Sequence, residues 1–124
     1  MVVLLVENDY SLRRAITTFL KKWNVGVLAV GSGDEAKALL DDLQFVPDAF
    51  LVDFQLNEKD NGIDLITALQ KRYGKIPASI VSANRTPELR QNCAAAGLDL
   101  IHKPIDPAVF RAFLESVRKA QSQT

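Results

Sequence analysis

The sequence predicts an α/β fold in which helices cover both faces of a parallel sheet. Five short apolar runs alternate with five longer segments in which apolar residues recur at helical spacing. Several runs are almost continuously apolar, as expected for parallel strands buried on both faces. Five strand–helix repeats within 124 residues indicate one doubly wound domain with right-handed crossovers.

The apolar runs differ in a way that suggests their positions in the sheet. The first, third and fourth are nearly uniform, whereas the second begins Val25-Gly26-Val27 and suits a strand nearer an edge. The arrangement expected for such a chain is the flavodoxin-like (βα)5 sheet with strand order 2-1-3-4-5. The predicted strands are Val2–Val6, 25–30, 49–52, 78–81 and 98–102.

Capping residues and prolines mark the predicted helix starts. Ser32-Gly33-Asp34-Glu35 fits a capping box at the start of the second helix. Thr86-Pro87 and Asp106-Pro107 each place a capping residue before a proline at the first helical position. The last helix is predicted to fray, so we expect one domain over residues 1–120, a polar tail over 121–124 and no further domain after it.

Composition and charge argue against several classes of protein. Lys and Arg together number 15, as do Asp and Glu, so the formal net charge is zero. A dedicated nucleic-acid binder or membrane-surface protein would carry a cationic excess. Cys93 is the only cysteine, no apolar run approaches the ~20 residues of a membrane span, and the first residues lack a signal-peptide pattern. We therefore expect a cytoplasmic protein that binds neither nucleic acid nor membrane directly.

Polar residues follow four of the predicted strands. Glu7-Asn8-Asp9 follows the first strand, Asp53 the third, Ser82 the fourth and Lys103 the fifth. In the expected order these strand ends are neighbours, close to the point where the strand order reverses. The sequence therefore predicts a shallow cleft that holds acidic groups, a hydroxyl and an ammonium.

Such a cleft suits transfer of a phosphoryl group to a carboxylate. An Asp carboxylate can attack phosphorus and form an acyl phosphate, but both groups are negative. Oxygen ligands after the first and third strands would hold Mg²⁺, which keeps several waters of its own. A hydroxyl and a Lys ammonium would bind the remaining phosphoryl oxygens.

Each of these residues also has an ordinary structural interpretation. Glu7-Asn8-Asp9 can be a solvated turn in which Asp9 or Ser11 caps the first helix. Asp53 can be a turn residue, while the serine and the lysine can be a strand-end hydroxyl and a solvated charge. The joint pattern at four strand ends, in the right order, favours the functional interpretation.

Together these segments resemble the receiver domain of response regulators (CheY-like), over essentially the whole chain. The matching residues are Leu5-Val6-Glu7-Asn8-Asp9, Leu51-Val52-Asp53, Ser82-Ala83 and Lys103-Pro104. The resemblance implies that Asp53 is the phosphorylation site and that Ser82 and Lys103 contact the phosphoryl group. Mg²⁺ would be the cofactor, with ligands drawn from Glu7, Asn8, Asp9, Asp53 and the backbone carbonyl of Gln55. The Lys103–Pro104 bond would be cis.

The resemblance also implies partners and an output. The phosphoryl donor would be a phosphohistidine on a sensor histidine kinase or a histidine phosphotransfer protein. Phosphorylation would shift helix four, strand five and helix five between two packings, and that surface could also pair two copies as a homodimer. The segments 53–56 and 102–107 are similar to receivers of hybrid sensor histidine kinases. Outside such a kinase, the domain would phosphorylate and dephosphorylate itself without being a conventional turnover enzyme.

Three features depart from the usual family pattern. The family usually begins its site with two adjacent acidic residues, whereas Glu7 here precedes the neutral Asn8. One charge fewer beside a divalent ion predicts weaker Mg²⁺ binding without abolishing it. The loop after the third strand has Asn57 where a proline is usual and is one residue longer before Gly62. Leu100 stands where many relatives carry an aromatic residue, so their aromatic output mechanism does not carry over.

Two other functions fit parts of the pattern. A pseudo-receiver that is never phosphorylated and serves as a docking surface is the alternative that Asn8 leaves open. A flavin mononucleotide carrier on the same fold would bind phosphate after the first strand, where Glu7 and Asp9 would repel it. His102 could suggest a phosphohistidine, but strand alternation points it away from the face that bears Lys103.

Overall fold

Strands and helices alternate along the chain as the hydrophobic pattern predicts. The computed structural model describes residues 1–57 and 60–122. Within them the elements are β1 Val2–Val6, α1 Tyr10–Lys22, β2 Gly26–Val30, α2 Gly33–Leu43, β3 Ala49–Asp53, α3 Gly62–Tyr73, β4 Ala78–Ser82, α4 Pro87–Ala95, β5 Asp99–His102 and α5 Pro107–Ser122.

The five strands form one parallel sheet in the order β2-β1-β3-β4-β5. This confirms the predicted flavodoxin-like arrangement and the edge position of β2. Since β1 and β3 are neighbours although α1, β2 and α2 separate them in sequence, the order reverses between them. The carboxyl ends of β1, β3, β4 and β5 therefore meet at one edge of the sheet.

Several predicted boundaries shift by one or two residues. β3 and β4 each continue one residue further, because Asp53 pairs with Val81 and Ser82 pairs with His102. α5 runs through Ser122, so the predicted tail begins in helix and not in coil. The side-chain amide of Gln121 donates to Asp48 Oδ1 (2.7 Å), which helps to hold that last turn. The remaining predicted tail residues, 123 and 124, lie outside the described residues.

The sheet separates two apolar layers. One layer packs β-strand residues such as Phe50 and Ile80 against α2, α3 and α4, and the other packs Leu5 and Leu51 against α1 and α5. Phe50, Ile80 and Leu51 are fully buried, so truncating one to Ala would cost about 3 kcal/mol or more. Among the helices of the described residues, none has the length and apolar character to cross a bilayer.

Side-chain caps fix where the helices begin. Asp9 accepts the Leu12 N–H at the start of α1, which confirms one of the two caps considered for that helix. Ser32 accepts the Glu35 N–H, but the Glu35 carboxylate reaches back to the Gly31 N–H, one residue before the position that a capping box predicts. Because Asp9 caps α1 and lies three residues after β1, α1 begins beside the carboxyl end of β1.

Candidate functional site

The edge of the sheet brings together the polar residues that follow the strands. Glu7 comes directly after β1, Asp53 and Ser82 are the last residues of β3 and β4, and Lys103 comes directly after β5. An open cleft of about 600 Å³ lies over this edge. It is lined by Asn8, Asp9, Asp53, Phe54, Gln55, Asn57, Ser82, Ala83, Asn84 and Lys103. Asn57 and Asn84 were not predicted to line it, since neither directly follows a strand.

The Lys103 ammonium lies between two buried carboxylates. Its Nζ is 3.1 Å from Glu7 Oε1 and 3.4 Å from Asp53 Oδ1. The Lys103 N–H donates to the Ser82 carbonyl (2.9 Å), which fixes the start of the segment that carries the side chain. Lys103 therefore acts as the counter-ion for both carboxylates.

Glu7 lies beneath the lining of the cleft and is almost completely buried, with 1% of its surface exposed. Its Oε2 accepts the Asp9 N–H (3.0 Å). Its Oε1 has no hydrogen bond of good geometry within the described residues, so the ionic contact with Lys103 is its compensation. Glu7 thus positions Lys103 and is less available as a metal ligand than its place in the sequence predicts.

The pKa values of Asp53 and Lys103 reflect the closeness of these two groups to each other and to Glu7. Burial, then the charge of Glu7 and a hydrogen bond with it, raise the pKa of Asp53 to about 6, although Lys103 and the Gln55 N–H act in the opposite direction. Burial by itself would lower the pKa of Lys103. Its contacts with Glu7 and Asp53 outweigh that effect and raise the pKa overall, which keeps the ammonium charged.

The β3–α3 loop presents backbone groups to the cleft. The Gly62 N–H donates to the Phe54 carbonyl (2.6 Å) and the Leu56 N–H to the Asp60 carbonyl (3.3 Å). These bonds flank an antiparallel bridge between Gln55 and Asn61, so the Gln55 N–H and carbonyl point to the opposite side. The Gln55 N–H is also close enough to Asp53 to act against the rise in the pKa of that carboxyl. The Gln55 carbonyl therefore lies on the Asp53 side of the loop, as a metal ligand would.

Gly62 is required by the close approach of this loop to the strand. A Cβ at this position would collide with the backbone carbonyl of Asp53 and would crowd Ile80 and Val52. The loop therefore closes tightly over the end of β3. Residues 58 and 59, which contribute to the predicted extra length of the loop, lie outside the described residues.

Comparison with known proteins decides the family. The profile of the response regulator receiver domain matches residues 3–115. The chain belongs to the receiver domain family. The chain is 29% identical over 112 residues to a cyclic di-GMP phosphodiesterase from Thermotoga maritima, covering 90% of this chain but only 29% of that relative.

Solved receiver structures share the fold. The chemotaxis protein CheY4 of Vibrio cholerae superimposes with a TM-score of 0.82 at 23% identity, covering 94% of this chain and 97% of that one. The BeF3-activated N-terminal receiver domain of Klebsiella pneumoniae RstA gives a TM-score of 0.80 at 25% identity, covering 93% and 96%. Both support the CheY-like architecture predicted from the strand and helix pattern.

Asn8 places an uncharged side chain between the acidic residues Glu7 and Asp9 at this receiver cleft. Its side-chain N–H₂ donates to the Leu56 carbonyl (3.4 Å) and so links the β1–α1 and β3–α3 loops. Because a carbonyl can only accept, this contact turns the amide nitrogen toward Leu56 and leaves the amide oxygen as the acceptor of the side chain. Asp9 lies at the rim, where its carboxylate is engaged as the cap of α1.

The donor set of the receiver cleft fits Mg²⁺. The Asp53 carboxylate, the Asn8 amide oxygen and the Gln55 carbonyl are hard oxygen donors, and Mg²⁺ usually takes one or two carboxylates and several waters. Within residues 1–57 and 60–122, no cluster of three or more His, Cys, Asp or Glu side chains is arranged to hold a metal. A cation here would thus depend on amide and backbone oxygens and water as well as on Asp53.

Ser82 and the residue after Lys103 complete the receiver site. Ser82 Oγ accepts the Asn84 N–H (3.0 Å), which leaves the hydroxyl proton free to donate. The Lys103–Pro104 peptide bond is cis, as the resemblance implied. The half-buried His102 is not among the residues that line the cleft.

Proposed function

We propose that this receiver domain accepts a phosphoryl group on the Asp53 carboxylate in a Mg²⁺-dependent reaction. The donor is a phosphohistidine of a sensor histidine kinase or a histidine phosphotransfer protein. The observation that carries the proposal is the position of Asp53, a buried carboxylate at an open cleft with the Lys103 ammonium 3.4 Å away. An isolated turn aspartate would have no such counter-ion.

The transfer forms one bond and breaks another. An Asp53 carboxylate oxygen attacks phosphorus as the bond from phosphorus to the donor imidazole nitrogen breaks, and the electron pair leaves with that nitrogen. The product is an acyl phosphate, which water later hydrolyses to restore the carboxylate and release inorganic phosphate. Mg²⁺, when bound, neutralises part of the charge on the carboxylate and the phosphoryl oxygens.

The chain's own residues stabilise the transferred group. The Lys103 ammonium can move its contact from Asp53 to a phosphoryl oxygen while Glu7 still anchors it. The Ser82 hydroxyl donates to a second oxygen, since its Oγ already accepts a backbone N–H and its proton is free. The Gln55 N–H favours the charged form of the Asp53 carboxyl, which is the form that attacks phosphorus.

Phosphorylation shifts α4, β5 and α5 between two packings. Lys103 follows β5 directly and its N–H is bonded to the end of β4, so a change in its side-chain contacts is transmitted to β5. Leu100 on β5 is only partly buried and packs against the α2–α4 layer, where a shift would be felt. Pairing of two copies through this surface stays a prediction.

Acetyl phosphate with Mg²⁺ tests the proposal without a partner kinase. We expect the intact mass of the wild type to rise by one phosphoryl group, and we expect no rise for Asp53→Asn or in excess EDTA. Asp64→Asn, which changes an exposed acid on α3, is the matched control and should be labelled like wild type. Equal labelling of Asp53→Asn and wild type would refute the proposal. A wild type that is never labelled would indicate the pseudo-receiver alternative.

A further inference from the structure

The two helices on one face of the sheet concentrate positive charge. α1 carries four cationic side chains and no acidic one, and α5 carries three cationic and one acidic. We call this surface the cationic face, made of Arg13, Arg14, Lys21, Lys22, Arg111, Arg118 and Lys119, with Glu115 as its acid. The chain as a whole is neutral, so acidic residues elsewhere in the chain balance the positive charge of these two helices.

The helices on the other face differ clearly from this pattern. α2, α3 and α4 together carry six acidic and four basic side chains. Clustering like charges on α1 and α5 costs folding free energy through mutual repulsion. A neutral chain with no use for the cationic face could have spread the same residues over both faces.

Ordinary structural causes explain only part of the cationic face. Lys21, Lys22 and Lys119 lie in the last turns of their helices, where cations complement the helix dipole. Arg13 donates to the Glu7 carbonyl (2.8 Å) and so has a structural contact. The remaining cations, Arg14, Arg111 and Arg118, are exposed. Arg111 Nε lies 3.6 Å from Glu115 Oε1, and the Arg14 guanidinium lies 5.9 Å from the Tyr10 ring centroid. Such contacts between exposed side chains of one helix stabilise it only weakly, so they do not account for the clustering of cations.

The cationic face contains a hollow of about 230 Å³ between the two helices. Its lining includes three cations and one acid, together with apolar surface from Trp23, Val25 and Leu114. The cations are Lys22, Arg111 and Arg118, and the acid is Glu115, which pairs with Arg111, so the lining keeps an excess of two positive charges. The Arg111 guanidinium lies 5.6 Å from the Trp23 ring centroid. A second hollow of about 240 Å³ is lined in part by Arg13, Arg14 and Lys21.

We propose that the cationic face docks an acidic segment of a partner protein. Carboxylates of the segment pair with the cations around the hollows, and one of its apolar side chains seats against Trp23 and Leu114. No residue of this face lines the phosphorylation cleft, so the proposal extends beyond phosphoryl transfer.

Protein is favoured over the two other anionic partners. A membrane surface would need several protruding apolar groups on the face, but of the exposed large apolar residues of the described chain only Tyr10 contacts its cations, Arg13 and Arg14. Leu43, Phe45 and Val46 lie at the end of α2 and just after it, and Tyr10 and Val109 lie in the first turns of α1 and α5. Nucleic acid would pair with the cations but offers no aliphatic side chain for the apolar part of the hollow.

Trp23 provides the measurement. It is the only tryptophan of the chain and lines the hollow, so its fluorescence reports what binds there. The probes are a peptide with glutamates and two leucines four residues apart, an all-glutamate peptide of the same charge, a short DNA duplex, and phosphatidylserine vesicles. We expect the leucine-containing peptide to bind most tightly.

Charge-reversal variants localise the binding. Lys21→Glu combined with Lys22→Glu should weaken the leucine-containing peptide roughly tenfold. Lys37→Glu with Lys71→Glu makes the same charge change on exposed residues of α2 and α3 and should weaken it less than twofold. Circular dichroism of both variants shows whether each is folded. Equal weakening by both pairs, tighter binding of DNA or vesicles, or no binding of either peptide would overturn the proposal.

Discussion

The cleft and the cationic face both concentrate charge, but they place it in opposite environments. In the cleft, Glu7 and Asp53 are buried and share one ammonium at distances of 3.1 and 3.4 Å. On the cationic face, side chains such as Lys21, Lys22 and Arg118 are exposed, and a single acid accompanies seven cations. Charges held in fixed, buried contact suit chemistry at a defined point, whereas exposed like charges suit attraction of a partner over a distance.

Removing the shared ammonium should produce the largest change in stability. Lys103→Met leaves two buried carboxylates without a counter-ion, so the free energy of unfolding in EDTA at neutral pH should fall by about 2 kcal/mol. Lys75→Met, at an exposed lysine, should change it by less than about 0.5 kcal/mol. Urea unfolding measures both variants, and equal effects would show that Lys103 is an ordinary surface charge.

Restoring an acid beside Asp53 should strengthen cation binding. Asn8→Asp adds a negative charge at the cleft and removes the hydrogen bond from the side-chain amide to the Leu56 carbonyl. Because of the added charge, Mg²⁺ should bind roughly tenfold more tightly. Isothermal titration with MgCl₂ measures the affinity. Asn24→Asp, after the far end of α1, is the control and should leave it unchanged. An Asn8→Asp variant that binds Mg²⁺ like wild type would remove position 8 from the metal site.

Stability of the metal-free protein should depend on the titration of Asp53. Its pKa is raised from 3.8 to about 6, so between these pH values the folded protein holds a proton that the unfolded chain has released. The free energy of unfolding should therefore fall as the pH rises through this window, and it should stay lower above it. Asp53→Asn should flatten that slope in chemical unfolding with EDTA. An equal slope in the variant would assign the titration to other groups.

Added salt should weaken binding at the cationic face more than it affects the reaction at the cleft. Exposed charges are screened over about 8 Å at physiological ionic strength, whereas buried pairs are screened much less. Raising NaCl should therefore weaken peptide docking on the cationic face severalfold and change the rate of acetyl phosphate labelling by less than twofold. Parallel salt series of Trp23 fluorescence and intact mass provide the comparison. Equal salt sensitivity would mean that the two regions do not differ in the way described.

The fold could be predicted from the sequence because hydrophobic periodicity and the residues that begin or end helices and strands act locally. Apolar runs, caps and prolines identified ten elements, and connection rules supplied the strand order. The residues at the strand ends were predicted for the same reason, since strand order alone places Asp53, Ser82 and Lys103 together. The last two residues of α5, Gln121 and Ser122, were predicted as tail because the bond from Gln121 to Asp48 joins residues far apart in sequence.

The division of roles inside the cleft depends on tertiary contacts. Glu7, Asn8 and Asp9 were all candidate metal ligands, but the structure gives each a different neighbour. Glu7 binds Lys103, Asn8 reaches Leu56, and Asp9 caps α1. Net charge likewise concealed the cationic face, because a sum over the chain carries no information about which helices share a side of the sheet.

Mapping the labelled residue tests the account most directly. Borohydride reduces an aspartyl phosphate to homoserine, so treatment after acetyl phosphate and Mg²⁺ marks the acceptor covalently, and peptide mass spectrometry locates it. The account predicts homoserine at position 53 and its loss when Mg²⁺ is withheld. Homoserine at another aspartate, or an unmodified position 53 in protein that carries the phosphoryl mass, would contradict it.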